Sequence, residues 1–233
     1  MAQQGDKLFE AWSIYDRALS NNTMYHDEIF ENVALLLRDH FDDRPISVLD
    51  LGCGSAKHIA QALAGQQVSR YVGYDLSQIA LDHARENLAG LNCPLNLEIG
   101  DFHQCLRDYP EKADLIVCSF AMHHLSTEEK ADFFQYVAEK LADDGMFLLI
   151  DTVRAEGEDR EAYLSNYCTE LRAKWDCFSP EELDEVIEHI FNKDFPETAA
   201  TLREMGAAAG LTQCEEHPYH TWHGTLCFER DSG

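Results

Sequence analysis

The stretch that decides the fold reads VLDLGCGSA and covers residues 48–56. Its apolar first half is typical of a buried strand, and it runs directly into Gly52 and Gly54. A helix-period pattern begins at Lys57, so the sequence predicts a strand, a glycine turn and a helix in succession. Two glycines at such a turn let the backbone approach a bound molecule where a Cβ would collide. We therefore expect a ligand at this turn.

Two common nucleotide-binding motifs do not match this turn. A dinucleotide fingerprint, G-x-G-x-x-G/A, needs glycine or alanine at the position that Lys57 occupies. The Walker pattern G-x-x-x-x-G-K-[ST] does not occur in the chain. The sequence therefore disfavours a nicotinamide or flavin cofactor and a Walker-type phosphate site.

Outward from the turn, short apolar runs alternate with longer amphipathic ones. The predicted strands are Ser47–Leu51, Tyr71–Asp75, Leu95–Ile99, Leu115–Ser119 and Met146–Asp151, and the predicted helices between them are Lys57–Ala64, Ser77–Leu88 and Thr127–Leu141. This order favours an α/β fold with a doubly wound, mostly parallel sheet. A helix over Glu197–Ala209 and strands over Thr212–Glu216 and Thr225–Arg230 predict a C-terminal antiparallel hairpin.

Two segments lie outside this repeat. Residues 6–41 have an amphipathic pattern broken by a turn-like Ser20-Asn21-Asn22, which predicts two N-terminal helices that act as a lid. Residues 155–196 predict a helical insertion, or cap, after the fifth strand, where Ser179 and Pro180 form a helix-start signal. We expect residues 1–233 to form a single domain that includes both segments.

Acidic residues stand at the ends of three successive predicted strands. Asp50 precedes the glycine turn, Asp75 ends the second strand, and Asp101-Phe102 follows the third. Ligands of open α/β sheets bind at the carboxyl ends of the strands, where a carboxylate can accept the hydroxyls of a ribose. Each acid alone is also explained as a cap of the following helix. Together they indicate a ligand with a ribose and a flat base, but no phosphate.

With these motifs, the sequence resembles the class I S-adenosylmethionine-dependent methyltransferases of small-molecule type, which have a Rossmann-like fold. The resemblance covers residues 46–154 through VLDLGCGSA, YVGYDLS, IGDF, ADLIVCSFAMHHL and DGMFLLID. It implies an S-adenosylmethionine site, with S-adenosylhomocysteine as product. The implied cofactor-binding residues are Tyr15, Asp50, Gly52, Cys53, Gly54, Asp75, Leu76, Asp101, Phe102 and Ser119. One departure is Ala56, where the family has a third glycine.

The implied reaction is an in-line displacement in which an acceptor atom attacks the sulfonium methyl group. Positioning and exclusion of water supply most of the rate, and a general base is needed only for a protonated nucleophile. His123 and His124 are the predicted catalytic residues, because they follow the fourth strand. The alternative is that they only shape the pocket. Tyr15 could instead be a core ring. His220, Trp222 and His223 could border a pocket, but a solvent-facing turn is the expectation.

The composition restricts the partners. The chain has 43 acidic and 18 basic residues, a net charge of −25, which disfavours nucleic acid and anionic membranes. Eight cysteines without a C-x-x-C pair predict neither a metal site nor disulfides, and no leader or membrane span is evident. We expect a cytoplasmic monomer or homodimer with a small-molecule methyl acceptor. Modification of RNA or protein, and cofactor binding without turnover, are the alternatives.

Overall fold

The computed structural model describes residues 14–219 and 222–230. The chain divides at the Val117–Cys118 bond into two compact units. Within the described residues, no helix is both long enough and apolar enough to cross a membrane.

The first unit is built from parallel strands with helices between them. Its elements are a helix over residues 14–20 (α1), α2 (His26–Phe41), β1 (Ile46–Leu51), α3 (Lys57–Ala62), β2 (Val68–Asp75), α4 (Gln78–Asn87), β3 (Leu95–Ile99), α5 (Phe102–Asp108) and β4 (Ala113–Ser119), whose last two residues belong to the second unit. The strand order is β3-β2-β1-β4. Asp50 is paired with Gly73, and Asp75 with Ile99, in parallel register. The carboxyl ends of β1, β2 and β3 therefore share one edge.

Side-chain caps fix where the helices of this unit begin. Ser77 accepts a hydrogen bond from the Ala80 backbone N–H at the start of α4, and Asp101 accepts one from Gln104 at the start of α5. Such caps satisfy backbone donors that have no partner within the helix. They place each helix directly after its strand, so the chain reverses at the edge where the three acidic residues lie.

The second unit surrounds one long strand. It contains α6 (Thr127–Lys140), β5 (Leu141–Arg154), α7 (Arg160–Lys174), α8 (Pro180–Lys193), β6 (Glu197–Thr198), α9 (Ala199–Ala208), β7 (Leu211–Tyr219) and β8 (His223–Arg230). β5 pairs antiparallel with β8 and parallel with β6, and β8 pairs antiparallel with β7. Phe133, Phe134, Phe147 and Phe228 are fully buried and form the core between α6 and the strands.

This architecture confirms the predicted α/β class with parallel strands and a C-terminal antiparallel hairpin. The Ser179–Pro180 start signal is also confirmed, since Ser179 and Glu182 form a capping box with proline in the first turn. Several bounds differ: β2 begins at Val68, α3 ends at Ala62, and β7 extends over Leu211–Tyr219. Three differences are larger. α5 was not predicted, the helix expected from Glu197 begins at Ala199 after a short strand, and β5 begins at Leu141 rather than Met146. Residues 6–13 of the predicted lid lie outside the described residues, and the single domain stays a prediction.

Candidate functional site

The glycine turn after β1 has the left-handed backbone that its sequence predicts. Gly52 and Gly54 have φ angles of 73° and 53°, a region that glycine enters without a Cβ penalty. The backbone N–H groups of Gly52 and Cys53 both donate to the Tyr74 carbonyl, which ties the turn to the end of β2. Ala56 also has a positive φ, 51°. Glycine would suit that position better, so the departure noted in the sequence leaves a strained alanine at the start of α3.

Asp50 is a buried carboxyl just before the turn. It is 2% exposed, and the Tyr71 hydroxyl donates a short hydrogen bond to it. Burial raises the pKa of Asp50 to about 7; the Tyr71 hydrogen bond opposes this shift, and the nearby Asp75 charge adds to it. Burial likewise raises the pKa of the adjacent Cys53 thiol well above its usual value. Cys53 is therefore an inert thiol, while Asp50 can change its protonation near neutral pH.

Asp75 joins the turn to the start of α4. Its Oδ2 accepts the Gly54 backbone N–H at 2.9 Å and its Oδ1 accepts the Ser77 backbone N–H at 2.8 Å. Burial raises the pKa of Asp75, and these backbone N–H groups oppose the shift. Each carboxylate oxygen has two lone pairs. The Leu76 backbone N–H also approaches this carboxylate. The acceptor positions that these donors leave are available to ligand hydroxyls.

The end of β3 adds an acid and apolar surface. Asp101 is exposed, and its Oδ1 caps α5 through the Gln104 backbone N–H at 2.9 Å. Phe102 is half-buried, whereas Leu76 and Ile99 are 56% and 59% exposed. Large apolar side chains with that exposure at the ends of β2 and β3 offer a surface for a flat, carbon-rich group. Ile99 was not predicted from the sequence, because an apolar residue inside a strand pattern looks like core.

Tyr15 lies in α1 and is half-buried. Its ring meets the buried His26 ring edge-on at a centroid distance of 6.4 Å, and His26 in turn lies 5.0 Å from His58. Asp27 Oδ1 lies 3.2 Å from His58 Nε2. The structure therefore connects Tyr15 to an aromatic cluster of α1, α2 and α3, and its predicted role over a cofactor stays a prediction.

In the second unit, the chain turns sharply after β4. Ser119 is half-buried, and the next residue, Phe120, has a φ of 51°. The Phe120 backbone N–H donates to the Ile150 carbonyl at 2.7 Å, which ties this turn to β5. The following residues form a short helix, Met122–His124, that carries both predicted catalytic histidines.

Asp151 holds His123 from two sides. Its Oδ1 lies 2.5 Å from His123 Nδ1, and its Oδ2 accepts the His123 backbone N–H at 2.9 Å. The Thr152 backbone N–H is a third donor to Asp151. Burial would lower the pKa of His123, but Asp151, and then Asp194, outweigh it, so that the net shift is upward. The same contact lowers the pKa of the buried Asp151 against its own burial.

His123 and His124 both face the carboxylate of Asp194. Asp194 Oδ1 lies 3.7 Å from His123 Nε2 and 3.3 Å from His124 Nδ1. His123 and Asp194 are buried, while the His124 side chain is 41% exposed. The sequence pointed to the histidines but did not single out the two acids, which lie 28 and 71 positions after His123. Asp151 ends the quoted motif DGMFLLID without a predicted role, and Asp194 belongs to no motif.

An aromatic cluster covers the end of β8. Tyr167 and Trp222 rings lie 5.5 Å apart, and the Tyr163 hydroxyl donates to the Trp222 carbonyl at 3.0 Å. His223 is 4% exposed, and its ring lies 5.3 Å from that of Phe120. The expectation of a solvent-facing turn is therefore wrong for His223, because pairing with β5 draws it inward. His220 lies outside the described residues.

With this geometry established, comparison with known proteins identifies related chains. The model of the family described as "Methyltransferase domain" matches residues 48–145. A curated relative, the "Uncharacterized methyltransferase YrrT" of Halobacillus halophilus, is 30% identical over 68% of this chain and 72% of its own length. The matched region contains the glycine turn and all three strand-end acids.

Solved structures share the fold. The chain superposes on an O-methyltransferase family protein from Burkholderia thailandensis with a TM-score of 0.66 at 17% identity, over 93% of this chain and 60% of that one. Magnesium protoporphyrin IX methyltransferase from Synechocystis PCC 6803, solved with bound S-adenosylhomocysteine, gives a TM-score of 0.61 at 14% identity, over 88% of this chain and 84% of that one.

Proposed function

The chain belongs to the class I S-adenosylmethionine-dependent methyltransferases, and from that membership we propose that it methylates a small-molecule acceptor, using residues at the strand ends of its first unit to hold the cofactor. The cofactor assignment rests on the orientation of the Asp75 carboxylate. Its two oxygens are oriented by the backbone N–H groups of Gly54 and Ser77, with Leu76 close by, and the acceptor positions left over suit ribose hydroxyls.

The other residues of this edge fit the remaining parts of S-adenosylmethionine. Gly52 and Gly54, at positive φ, leave room for its amino-acid part beside the buried Asp50 and Cys53. The exposed Leu76, with Phe102 and Asp101, suits the faces and edge of adenine, and the exposed Ile99 extends that apolar surface. The roles implied for Tyr15 of the first unit and Ser119 of the second stay predictions. When bound, the cofactor supplies a methyl group on a sulfonium, which a nucleophilic atom of the acceptor can take.

The residues of the chain contribute orientation and charge. The carboxylate of Asp75 is oriented by backbone donors before any ligand arrives, so binding does not require it to reorganise. Asp50 lies next to the glycine turn, and a cationic ligand there favours its ionised form. The predicted general base stays a proposal. Of the two histidines, His124 is the more exposed, whereas both ring nitrogens of His123 face carboxylates.

The proposed acceptor is a small neutral or cationic molecule. A net charge of −25 opposes the binding of RNA, whose recognition needs concentrated Lys and Arg. The helical segment α7–α8 after β5, which begins with Arg160, supplies the aromatic rings Tyr163 and Tyr167 near Trp222. Both tyrosine rings are buried and pack against each other and Trp222, so they form the apolar support of this segment.

Transfer of a labelled methyl group tests this proposal. The protein is incubated with methyl-labelled S-adenosylmethionine and a cell extract separated into low-mass, RNA and protein fractions. We expect label in the low-mass fraction with the wild type and with Asp82→Ala, which removes an exposed acid of α4. We expect Asp75→Ala to lose the transfer and to bind S-adenosylhomocysteine at least tenfold more weakly by calorimetry, because two hydrogen bonds to a carboxylate are lost, at about 1.5–3 kcal/mol each.

Two outcomes would contradict the proposal. Label that appears mainly in the RNA or protein fraction would favour a macromolecular acceptor. Wild-type affinity for S-adenosylhomocysteine in Asp75→Ala would remove the cofactor assignment.

A further inference from the structure

Three metal-ligand atoms converge in the second unit without forming hydrogen bonds to one another. They are His123 Nε2, His124 Nδ1 and Asp194 Oδ1, and all lie within 4.8 Å of one another. We infer that these three side chains bind a divalent transition-metal ion, with Zn²⁺ the best match. This inference is independent of the proposed cofactor site, which lies in the first unit.

The distances fit a shared cation better than direct contacts. Zn²⁺ binds imidazole nitrogen and carboxylate oxygen at about 2.0–2.2 Å, so two ligands of a tetrahedral ion are roughly 3.3–3.6 Å apart. Asp194 Oδ1 lies 3.3 Å from His124 Nδ1 and 3.7 Å from His123 Nε2. The longer of these exceeds the reach of a normal N–H···O hydrogen bond.

Asp194 supplies the second, independent observation. Its side chain is only 8% exposed, and its Oδ1 is buried without a hydrogen-bond partner among the described residues. Leaving a buried carboxylate oxygen unsatisfied is costly, and such groups are usually paired or coordinate a metal. The oxygen faces the two imidazoles, so a cation between the three atoms would satisfy it.

With both imidazoles neutral, as coordination requires, the cluster contains carboxylates and no cation of its own. The buried Lys130 and the half-buried Arg154 both pair with Glu197, at 3.5 Å each. Arg160 donates to the backbone carbonyl of Asp194, not to its carboxylate. Asp151 and Asp194 together bring two negative charges, which a divalent ion would balance.

The surroundings hold the three ligands as a metal site requires. His123 Nδ1 lies 2.5 Å from Asp151 Oδ1, so a proton shared there leaves Nε2 free to coordinate, as in carboxylate–histidine–zinc triads. The Phe195 backbone N–H donates to the His123 carbonyl at 2.7 Å, which fixes the residue after Asp194 against the histidine turn. A protonated His124 Nδ1 would donate to the Lys193 carbonyl at 3.4 Å. Metal coordination at Nδ1 replaces this long contact and requires the tautomer with the proton on Nε2.

Three protein ligands leave a fourth position open in a tetrahedral ion. Structural zinc sites are closed by four protein ligands, whereas sites with three keep room for a water or another oxygen ligand. The inferred site is therefore of the open kind. A histidine nitrogen that coordinates a metal cannot also accept a proton, so this role excludes general-base catalysis by the same atoms.

Metal content and affinity test the inference. The full chain is freed of metal with a chelator, and binding of Zn²⁺ alone is measured by competition with a chromophoric chelator. We expect one ion per chain with a dissociation constant in the micromolar range or tighter. We expect at least a roughly tenfold loss of affinity in both Asp194→Asn and His124→Asn, and wild-type affinity in the control His83→Gln, an exposed histidine of α4.

The absorption spectrum of Co²⁺ bound to the wild type distinguishes the inferred site from binding by the eight cysteines. This measurement does not depend on any variant folding correctly. We expect ligand-field bands of a four- or five-coordinate ion without thiolate charge transfer. The inference is overturned if thiolate bands dominate, if no ion binds at one equivalent, or if both variants bind as the wild type does. Retention of affinity in either variant removes that residue as a ligand.

Discussion

Asp50 is the residue whose chemistry depends most on its surroundings. It is fully enclosed within the first unit, accepts a hydrogen bond from Tyr71 and lies near the charge of Asp75. Burial disfavours its charged form, which is why its pKa rises from an ordinary carboxyl value to about 7. In the absence of a cationic ligand, and between about pH 4 and pH 7, Asp50 is therefore protonated in the folded protein and ionised in the unfolded chain.

This proton predicts how stability depends on pH. A carboxyl whose pKa is raised on folding contributes stability that is fully present below its unfolded pKa, near 4, and is lost as the pH rises through about 7. We expect Asp50→Asn, which keeps an acceptor for Tyr71, to flatten the fall in unfolding free energy between pH 5 and pH 8. Urea unfolding of both proteins across this range measures the difference. Parallel curves would show that Asp50 ionises normally.

For single residues, the sequence predicted which acids end the strands but not which groups surround them. Asp50, Asp75 and Asp101 could be found because each ends a strand, and strand ends follow from the apolar pattern. The Tyr71 hydroxyl that reaches Asp50 and the Gly54 backbone N–H that reaches Asp75 depend on the register between β1 and β2, which the pattern of one strand does not fix. Asp194 was the hardest of these residues to predict. Its contact with His123 and His124 depends on the path of the chain after α8, which the local sequence pattern does not determine.

Among the elements, those with strong local signals match their predictions most closely. β3 has its predicted bounds, and α6 begins at Thr127 as predicted because Ser126 and Glu129 form a capping box. α5 was missed because its seven residues are too few to show a period. The start of β5, at Leu141, was assigned to the preceding helix because Leu-Ala-Asp-Asp has no strand pattern.

The contact between α9 and β8 predicts the effect of one added methyl group. A Cβ on Gly206 would lie 2.7 Å and 2.9 Å from two carbons of the Phe228 ring. That ring is fully buried between Phe134 and Phe147 and has little room to move. The gain in helix propensity is about 1 kcal/mol, and overpacking costs about 1–3 kcal/mol. We expect Gly206→Ala to lower the unfolding free energy by about 1 kcal/mol, measured by urea unfolding.

The matched control for this change is Gly90→Ala. Gly90 is exposed in the short 3-10 helix Leu88–Leu91 that follows α4, and a Cβ there would meet no atom within 4 Å. Removing a glycine without strain leaves stability unchanged or raises it by up to about 1 kcal/mol. Equal effects of the two substitutions would mean that Phe228 relaxes, and that α9 does not need a glycine to approach the strand.

On the scale of the whole molecule, the net charge of −25 acts on stability as well as on partners. Like charges repel more strongly in the compact state than in the unfolded chain, so a large excess of acids destabilises the fold. Salt weakens this repulsion, since the Debye length falls from about 30 Å at 0.01 M to about 8 Å at 0.15 M. Surface pairs such as Arg172–Asp184 lose some attraction too, but such pairs contribute only about 0–1 kcal/mol each.

We therefore expect the melting temperature to rise as sodium chloride increases from 0.01 M to 0.15 M. Each kcal/mol of relieved repulsion should raise it by about 2–4 °C for a chain of this size. Calorimetric melting at fixed pH measures the change, and an uncharged sugar at equal osmolarity controls for solute effects other than screening. A melting temperature that falls with salt would mean that favourable ion pairs outweigh the excess of acids. The acids would then be arranged as a network with the 18 basic residues rather than as a repelling surface, and the charge argument against polyanionic acceptors would lose its basis.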